Sequence, residues 1–126
     1  MNTQLTGLLM LLLDVSVESL SQLALKIGSA GGPAVLRPRF RSWTGLCPAA
    51  ERAGLWLLAG VIGYGIEVVF YTLALNCLEV TVAFPLGSLC FVGVAVLSKI
   101  FLGEAVGGIR WLGIACILAG TVLLAL

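Results

Sequence analysis

Four stretches of this chain are continuously apolar, each over about 20 residues, which is the length an α-helix needs to cross the hydrocarbon core of a bilayer. They run over residues 3–26, 54–77, 80–101 and 107–126. Apolar and polar residues do not alternate within them, which argues against the strands of a membrane barrel. A soluble domain of 126 residues needs more polar surface than this one can supply, since 60% of it is hydrophobic and only 10% charged. The expected fold is an all-α membrane protein of four transmembrane helices, one domain over residues 1–126. The first stretch carries acids where a signal peptide is apolar and has no positive leader, so it reads as a span rather than a cleaved segment. Residues 27–53 form the one long connection. The other connections are short, so helices 2 and 3, and helices 3 and 4, are expected as antiparallel neighbours. Four helices enclose little room for a ligand, and a dimeric bundle is the expected unit.

The charges are placed asymmetrically. All seven basic residues (Lys26, Arg37, Arg39, Arg41, Arg52, Lys99 and Arg110) belong to the first and third connections or to the helix ends that face them. Both chain ends and the turn at Leu78 and Glu79 carry none. The positive-inside rule then places loop 27–53 in the cytoplasm and both termini outside it. A dimer of antiparallel protomers would need a second, oppositely biased polypeptide. In the long loop, Pro33, Pro38 and Pro48 argue against a continuous helix. Arg37, Arg39 and Arg41, interleaved with Phe40 and Trp43, suit a segment lying at the headgroup surface of membrane lipids.

Several chemistries find no support. The four cysteines (Cys47, Cys77, Cys90, Cys116) are far apart and there is no histidine, so they read as small packing residues rather than metal ligands. No phosphate loop or nucleophile–base pair is present, and nothing calls for a cofactor, nucleic acid or enzymatic activity.

The acids carry the functional signal. Asp14, Glu18, Gln22 and Lys26 follow one another at four-residue steps, which draws a polar stripe down one side of an apolar helix. That stripe cannot face lipid, because a charged side chain at the bilayer centre costs about 2.5–3.5 kcal/mol even on the lenient insertion scale. Glu67 stands near the middle of the second span, with Tyr64 and Tyr71 on the same face as hydrogen-bond donors. Glu18, Glu67 and Asp14 are the expected lining of a central site that holds a cation or exchanges it for protons, with Tyr64, Gln22 and Ser88 contributing. Lys26 is expected to snorkel at its helix end. In AFPLGS, Pro85 frees a backbone carbonyl and Gly87 permits bending, which suggests a hinge. Gly113 and Gly120, with Cys116 and Ala119, give the last helix a small-residue face suited to dimerisation.

These residues, in this order, resemble the four-helix branch of the drug/metabolite transporter superfamily. That branch includes the small multidrug resistance exporters and the subunits of a flippase for aminoarabinose linked to undecaprenyl phosphate. The resemblance covers nearly the whole chain except the long first loop. Glu18, eight residues before Lys26, looks like the essential first-helix glutamate of the exporters, and Tyr64 like a substrate-contacting tyrosine. Gly113 and Gly120 in GIACILAGTVLL match the exporters' dimerisation pattern. SQLALK, LEVTVAFPLGSL and FLGEAVGGIRWLGIACILAG look more like the flippase subunits, whose pattern Phe84-Pro85 and Ser88-Leu89 fit. Gly87 stands where the exporters carry tryptophan, Glu18 where the flippase subunits usually lack an acid, and Glu67 is typical of neither.

The resemblance implies a carrier, as a homodimer or with a related subunit, for an amine-bearing lipid-linked sugar. A proton-coupled exporter of lipophilic cations is the close alternative. A membrane assembly subunit, its polar stripe gripping partner helices, is a third. The charge bias makes a direct prediction. A phosphatase reporter fused after the last helix should be active, as it is only outside the cytoplasm, and a cytoplasmic reading at that end would refute the orientation.

Overall fold

A computed structural model describes residues 3–44 and 52–125, and every regular element among them is helical. Helix α1 spans Thr3–Ser29. A single 3₁₀ turn at Pro33–Val35 and a short helix, α2, at Pro38–Thr44 follow. Helix α3 spans Ala53–Leu75. Helix α4 (Val80–Gly87) is followed by α5 (Cys90–Leu97), which runs on into a π-helical turn at Ser98–Leu102. Helix α6 covers Gly108–Ala125. Cys47, Pro48 and the Trp43 side chain lie outside the described residues.

Thr3–Ser29, Ala53–Leu75 and Val80–Leu102 are each long and apolar enough to cross a membrane. The last apolar helix is shorter, at 18 residues. The first span extends past Lys26 because nothing interrupts it before Gly31 and Gly32, whose φ values of 94° and 110° suit glycine and end the helix. In the long loop, Pro33 and Pro38 each open an element, where a missing N–H is no loss.

The third apolar stretch reads as one helix in the sequence, yet the structure breaks it at Ser88 and Leu89. Pro85 cannot donate to the ladder. Three residues on, the backbone tightens: the Ser88 and Leu89 amides donate to the carbonyls of Pro85 and Leu86, three residues back. The chain then resumes as α5.

Helix α1 is the centre of the bundle. It packs along α3 and touches α5 and α4, while α6 packs on α4. Lipid offers no hydrophobic drive for such contacts, so the helices must approach closely enough for dense van der Waals packing. Glycines permit this. A Cβ on Gly60 would lie 2.6 Å from Leu25 Cγ, and one on Gly28 would lie 2.7 Å from the Leu57 amide nitrogen and 3.0 Å from the Ala53 carbonyl. On the other side of α1, a Cβ on Gly93 would lie 2.3 Å from Ser19 Oγ. Ser19 and Ser21 enter these seams with their hydroxyls already donated, each at 2.7 Å, to the Val15 and Val17 carbonyls of their own helix. Leu11, Ala74 and Ala83 form a small core where α1 begins, with Met10, Tyr71, Leu75, Leu78 and Leu86 around it. Outward-facing residues such as Leu12, Val61, Val68, Val69 and Leu123 leave a broad apolar surface for lipid.

Gly28 faces backbone atoms that cannot swing aside. Gly28→Ala should destabilise the protein by about 1–3 kcal/mol. Gly65→Ala on α3, with open space around it, should leave thermal unfolding in detergent essentially unchanged.

Candidate functional site

The four-residue step between Asp14 and Glu18 puts both carboxyls on successive turns of α1. From α3, the same spacing brings Glu67 and Tyr71. These four residues line one pocket of about 310 Å³, completed by Phe84, Gly87 and Ser88 at the end of α4 and by Cys90 and Phe91 at the start of α5. The break between α4 and α5 therefore forms part of the pocket wall. Phe84 and Phe91 are 74% and 59% exposed, so the pocket has an open, aromatic mouth.

The charge in this pocket is unbalanced. Three carboxyl groups line it and, among the described residues, no lysine or arginine does. Asp14 is only 2% exposed, and among the described residues its Oδ1 has no hydrogen-bond partner. Buried polar atoms are nearly always paired, and buried charge needs compensation. Protons or a cationic ligand would supply both here.

The pocket wall is stitched to the last helix. The Ser88 hydroxyl donates to the Pro85 carbonyl. Thr121 of α6 lies within 3.2 Å of the same carbonyl and 3.3 Å from Ser88 Oγ, while its hydroxyl also reaches the Ile117 carbonyl at 2.9 Å. Sequence reasoning did not single out Thr121. Its one signal was a lone hydroxyl residue in a helix that is apolar beyond Arg110 in its first turn.

Asp14, Glu18, Glu67, Gly87 and Ser88 are thus brought together, and Pro85 stands just behind the break. Tyr64 is half-buried on α3 but does not line the pocket; Tyr71 does. Gln22 is separated from the acids. With Lys26 it opens into a second pocket of about 170 Å³, shared with Ser19, Ser98 and Glu104. One polar stripe therefore serves two pockets. Cys90, read from sequence as a packing residue, is buried and also lines the acidic pocket. Gly113 and Gly120 have open space where a side chain would stand, so their face of α6 is uncovered within the protomer.

At the second pocket, Lys26 Nζ lies 3.4 Å from Glu104 Oε1, and the Ser98 hydroxyl donates to Glu104 Oε2. Lys26 thus ends its helix in an ion pair.

This arrangement sits in a chain whose residues 10–126 match the sequence profile of the EamA-like transporter family. The chain belongs to that family. The superfamily read from its motifs is the same one, and the chain is a small, multi-pass membrane transporter. It is 38% identical over 85 residues to y4nH, an uncharacterized protein of Sinorhizobium fredii, covering 64% of this chain and 73% of that one. It is 34% identical over 80 residues to the probable 4-amino-4-deoxy-L-arabinose-phosphoundecaprenol flippase subunit ArnE of Yersinia pestis, covering 61% of this chain and 70% of that one. The ArnE of Yersinia pseudotuberculosis matches at the same identity and coverage. No solved structure gives a significant match.

Glu104 lies beyond the spans, and its carboxyl is held below the ordinary glutamate value of 4.5, first by the Ser98 hydroxyl; burial opposes this, and Lys26 and Arg110 each add a smaller lowering effect. A lowered folded-state value means that the pair stabilises the fold above pH 4.5 and that this contribution is lost as pH falls through the lowered value. Both side chains are substantially exposed, so the contribution is under about 1 kcal/mol. Glu104→Gln should lower the melting temperature slightly at neutral pH, and the difference should vanish well below pH 4.5.

Proposed function

We propose that this chain is one protomer of a dimeric carrier that moves an amine-bearing, lipid-linked sugar across the bacterial inner membrane. The observation that carries the reading is the acidic pocket at membrane depth, with three carboxyls, no base, and an unpaired buried oxygen on Asp14. An ammonium group answers that charge. Glu18 and Glu67 would hold it, with Asp14 behind them. The Ser88 hydroxyl and the Tyr71 phenol offer hydrogen bonds to sugar hydroxyls, and the exposed Phe84 and Phe91 leave a lipid tail a way out of the pocket. The similarity to flippase subunits, whose printed substrate is an aminosugar on a polyprenol phosphate, supports the same reading.

In this proposal the break after Pro85 and Gly87 is the hinge of alternating access. α6 is the fourth span: its 18 residues reach about 27 Å, close to the hydrocarbon thickness. Its uncovered Gly113 and Gly120 face receives a second copy or a related subunit. Loop 27–53 faces the cytoplasm and both termini the opposite side.

Phe84 and Phe91 beside the acids favour one further reading, a proton-coupled exporter of lipophilic cations, because aromatic faces attract cations. The two separate in reconstituted vesicles. The leading reading expects flipping of a polyprenyl phosphate aminosugar, loss of the signal on N-acetylation of the amine, and a fall of about tenfold or more in Glu18→Gln and Glu67→Gln. Equal movement of the acetylated lipid would refute it. Binding of tetraphenylphosphonium that strengthens as pH rises and disappears in Glu18→Gln would establish the exporter instead. Loss of assembly in both amide variants would mean that the acids hold helices together.

A further inference from the structure

A second concentration of charge lies away from the acids, where the first loop meets the end of the third span. Arg37, Arg39 and Lys99, with Pro38, Phe40 and Ile100, line a pocket of about 440 Å³. The loop is fastened there by specific contacts. The Arg37 amide donates to the Phe101 carbonyl at 2.9 Å, and the Phe40 and Phe101 rings pack with centroids 4.5 Å apart. The Arg37 guanidinium rests on Gly103, where a Cβ would meet Nε at 2.6 Å; Gly103 also ends the π-helical turn with φ 74°. Lys99 is held from the other side, its Nζ 5.6 Å from the centre of the Trp111 ring.

Arg37 and Lys99 both line this pocket, and among the described residues no carboxylate does. Glu104, the acid nearest in sequence, is committed to Lys26 and Ser98. Like charges gathered by a docked loop create a potential that an anion relieves. The depth of the pocket narrows the choice of anion. Lys99 and Ile100 lie in the last turn of an apolar span, the level at which phospholipid headgroups begin, and the apolar Phe40 and Ile100 adjoin the charges.

We propose that this pocket binds the phosphate ester of a lipid, with Arg37 and Lys99 as its principal contacts. The lipid is either the polyprenyl carrier of the transported sugar, a source that rests on the function proposed above, or an anionic membrane phospholipid, a source that does not. From Phe91 at the acidic pocket to Ile100 here is about 13 Å along the helix axis, more than a single sugar ring spans. A carrier phosphate in the basic pocket and its sugar amine among the acids would therefore be occupied in turn. The basic pocket is a loading station at the membrane surface.

The test uses the full chain in neutral detergent at low salt, with farnesyl phosphate, dioctanoyl phosphatidic acid and dioctanoyl phosphatidylcholine as probes. At least one of the two anionic lipids should bind about tenfold or more tightly than the zwitterionic one. Tighter binding of farnesyl phosphate than of phosphatidic acid assigns the pocket to the carrier; comparable binding of both, or tighter binding of phosphatidic acid, assigns it to anionic phospholipid. Arg37→Gln and Lys99→Gln should each weaken binding about tenfold, whereas Arg52→Gln, a loop cation outside the pocket, should change it less than twofold. Arg37→Lys is the second variant should Arg37→Gln release the loop. Glu67→Gln should leave this binding intact even if it abolishes transport, which keeps the two proposals separable. Equal affinity for phosphatidylcholine, or an Arg52→Gln effect as large as that of Lys99→Gln, would overturn the assignment in favour of diffuse charge attraction.

Discussion

The carboxyl groups of α1 cannot face hydrocarbon, and the other helices are arranged so that they do not. Hydrocarbon cannot hydrogen-bond or solvate charge, so Asp14 and Glu18 must be enclosed by protein or lie in a polar cavity. Helix α1 accordingly sits in the middle, flanked by α3 and by the broken third span. Glycines at each seam let it be enclosed tightly, and serines at those seams donate their hydroxyls to their own helix. The polar side of α1 is thus sheltered by residues that make few polar demands of their own.

The break in the third span follows from the same requirement. A straight helix would press a continuous apolar surface against the acids. Pro85 removes a donor, the ladder tightens, and the chain steps aside at Ser88 and Leu89. The step makes room for the acidic pocket and leaves the Pro85 carbonyl to be shared by Ser88 and Thr121. Since Thr121 belongs to α6, the wall of the pocket is tied to the helix whose glycine face is open. A partner packing on that face would therefore be linked to the pocket through a short run of hydrogen bonds. The opposite ends of the bundle differ in kind: a small apolar core closes one, whereas an ion pair and a basic loop occupy the other.

Much of this was legible in the sequence because hydropathy and spacing are local properties. Runs of apolar residues of span length, acids at four-residue steps and a proline followed by glycine act through the helix that contains them. The convergence of Asp14, Glu18, Glu67 and Ser88 was foreseeable because a bilayer leaves each of them only the interior. The motifs also sufficed to place the chain in its superfamily. The contributions of Gly28, Gly60 and Gly93 were not legible, because a glycine facing a neighbouring helix looks the same in sequence as one facing lipid. Gly113 shows the ambiguity from the other side, since within the protomer nothing fills the space beside it.

The sequence by itself determined that the chain is helical, that it lies in a membrane and that its acids turn inward, because each follows from the cost of exposing particular groups to hydrocarbon. Only the tertiary structure decided how the inward groups are divided. Glu18 and Gln22 are one turn apart on the same stripe, yet they open into different pockets, because Ser19 meets Gly93 between them and brings α5 against α1 at that level. Lys26 likewise finds Glu104, and Arg37 meets Gly103, across dozens of residues of chain. Such pairings depend on which surfaces touch, and contact between distant segments is set by packing rather than by the period of any one helix.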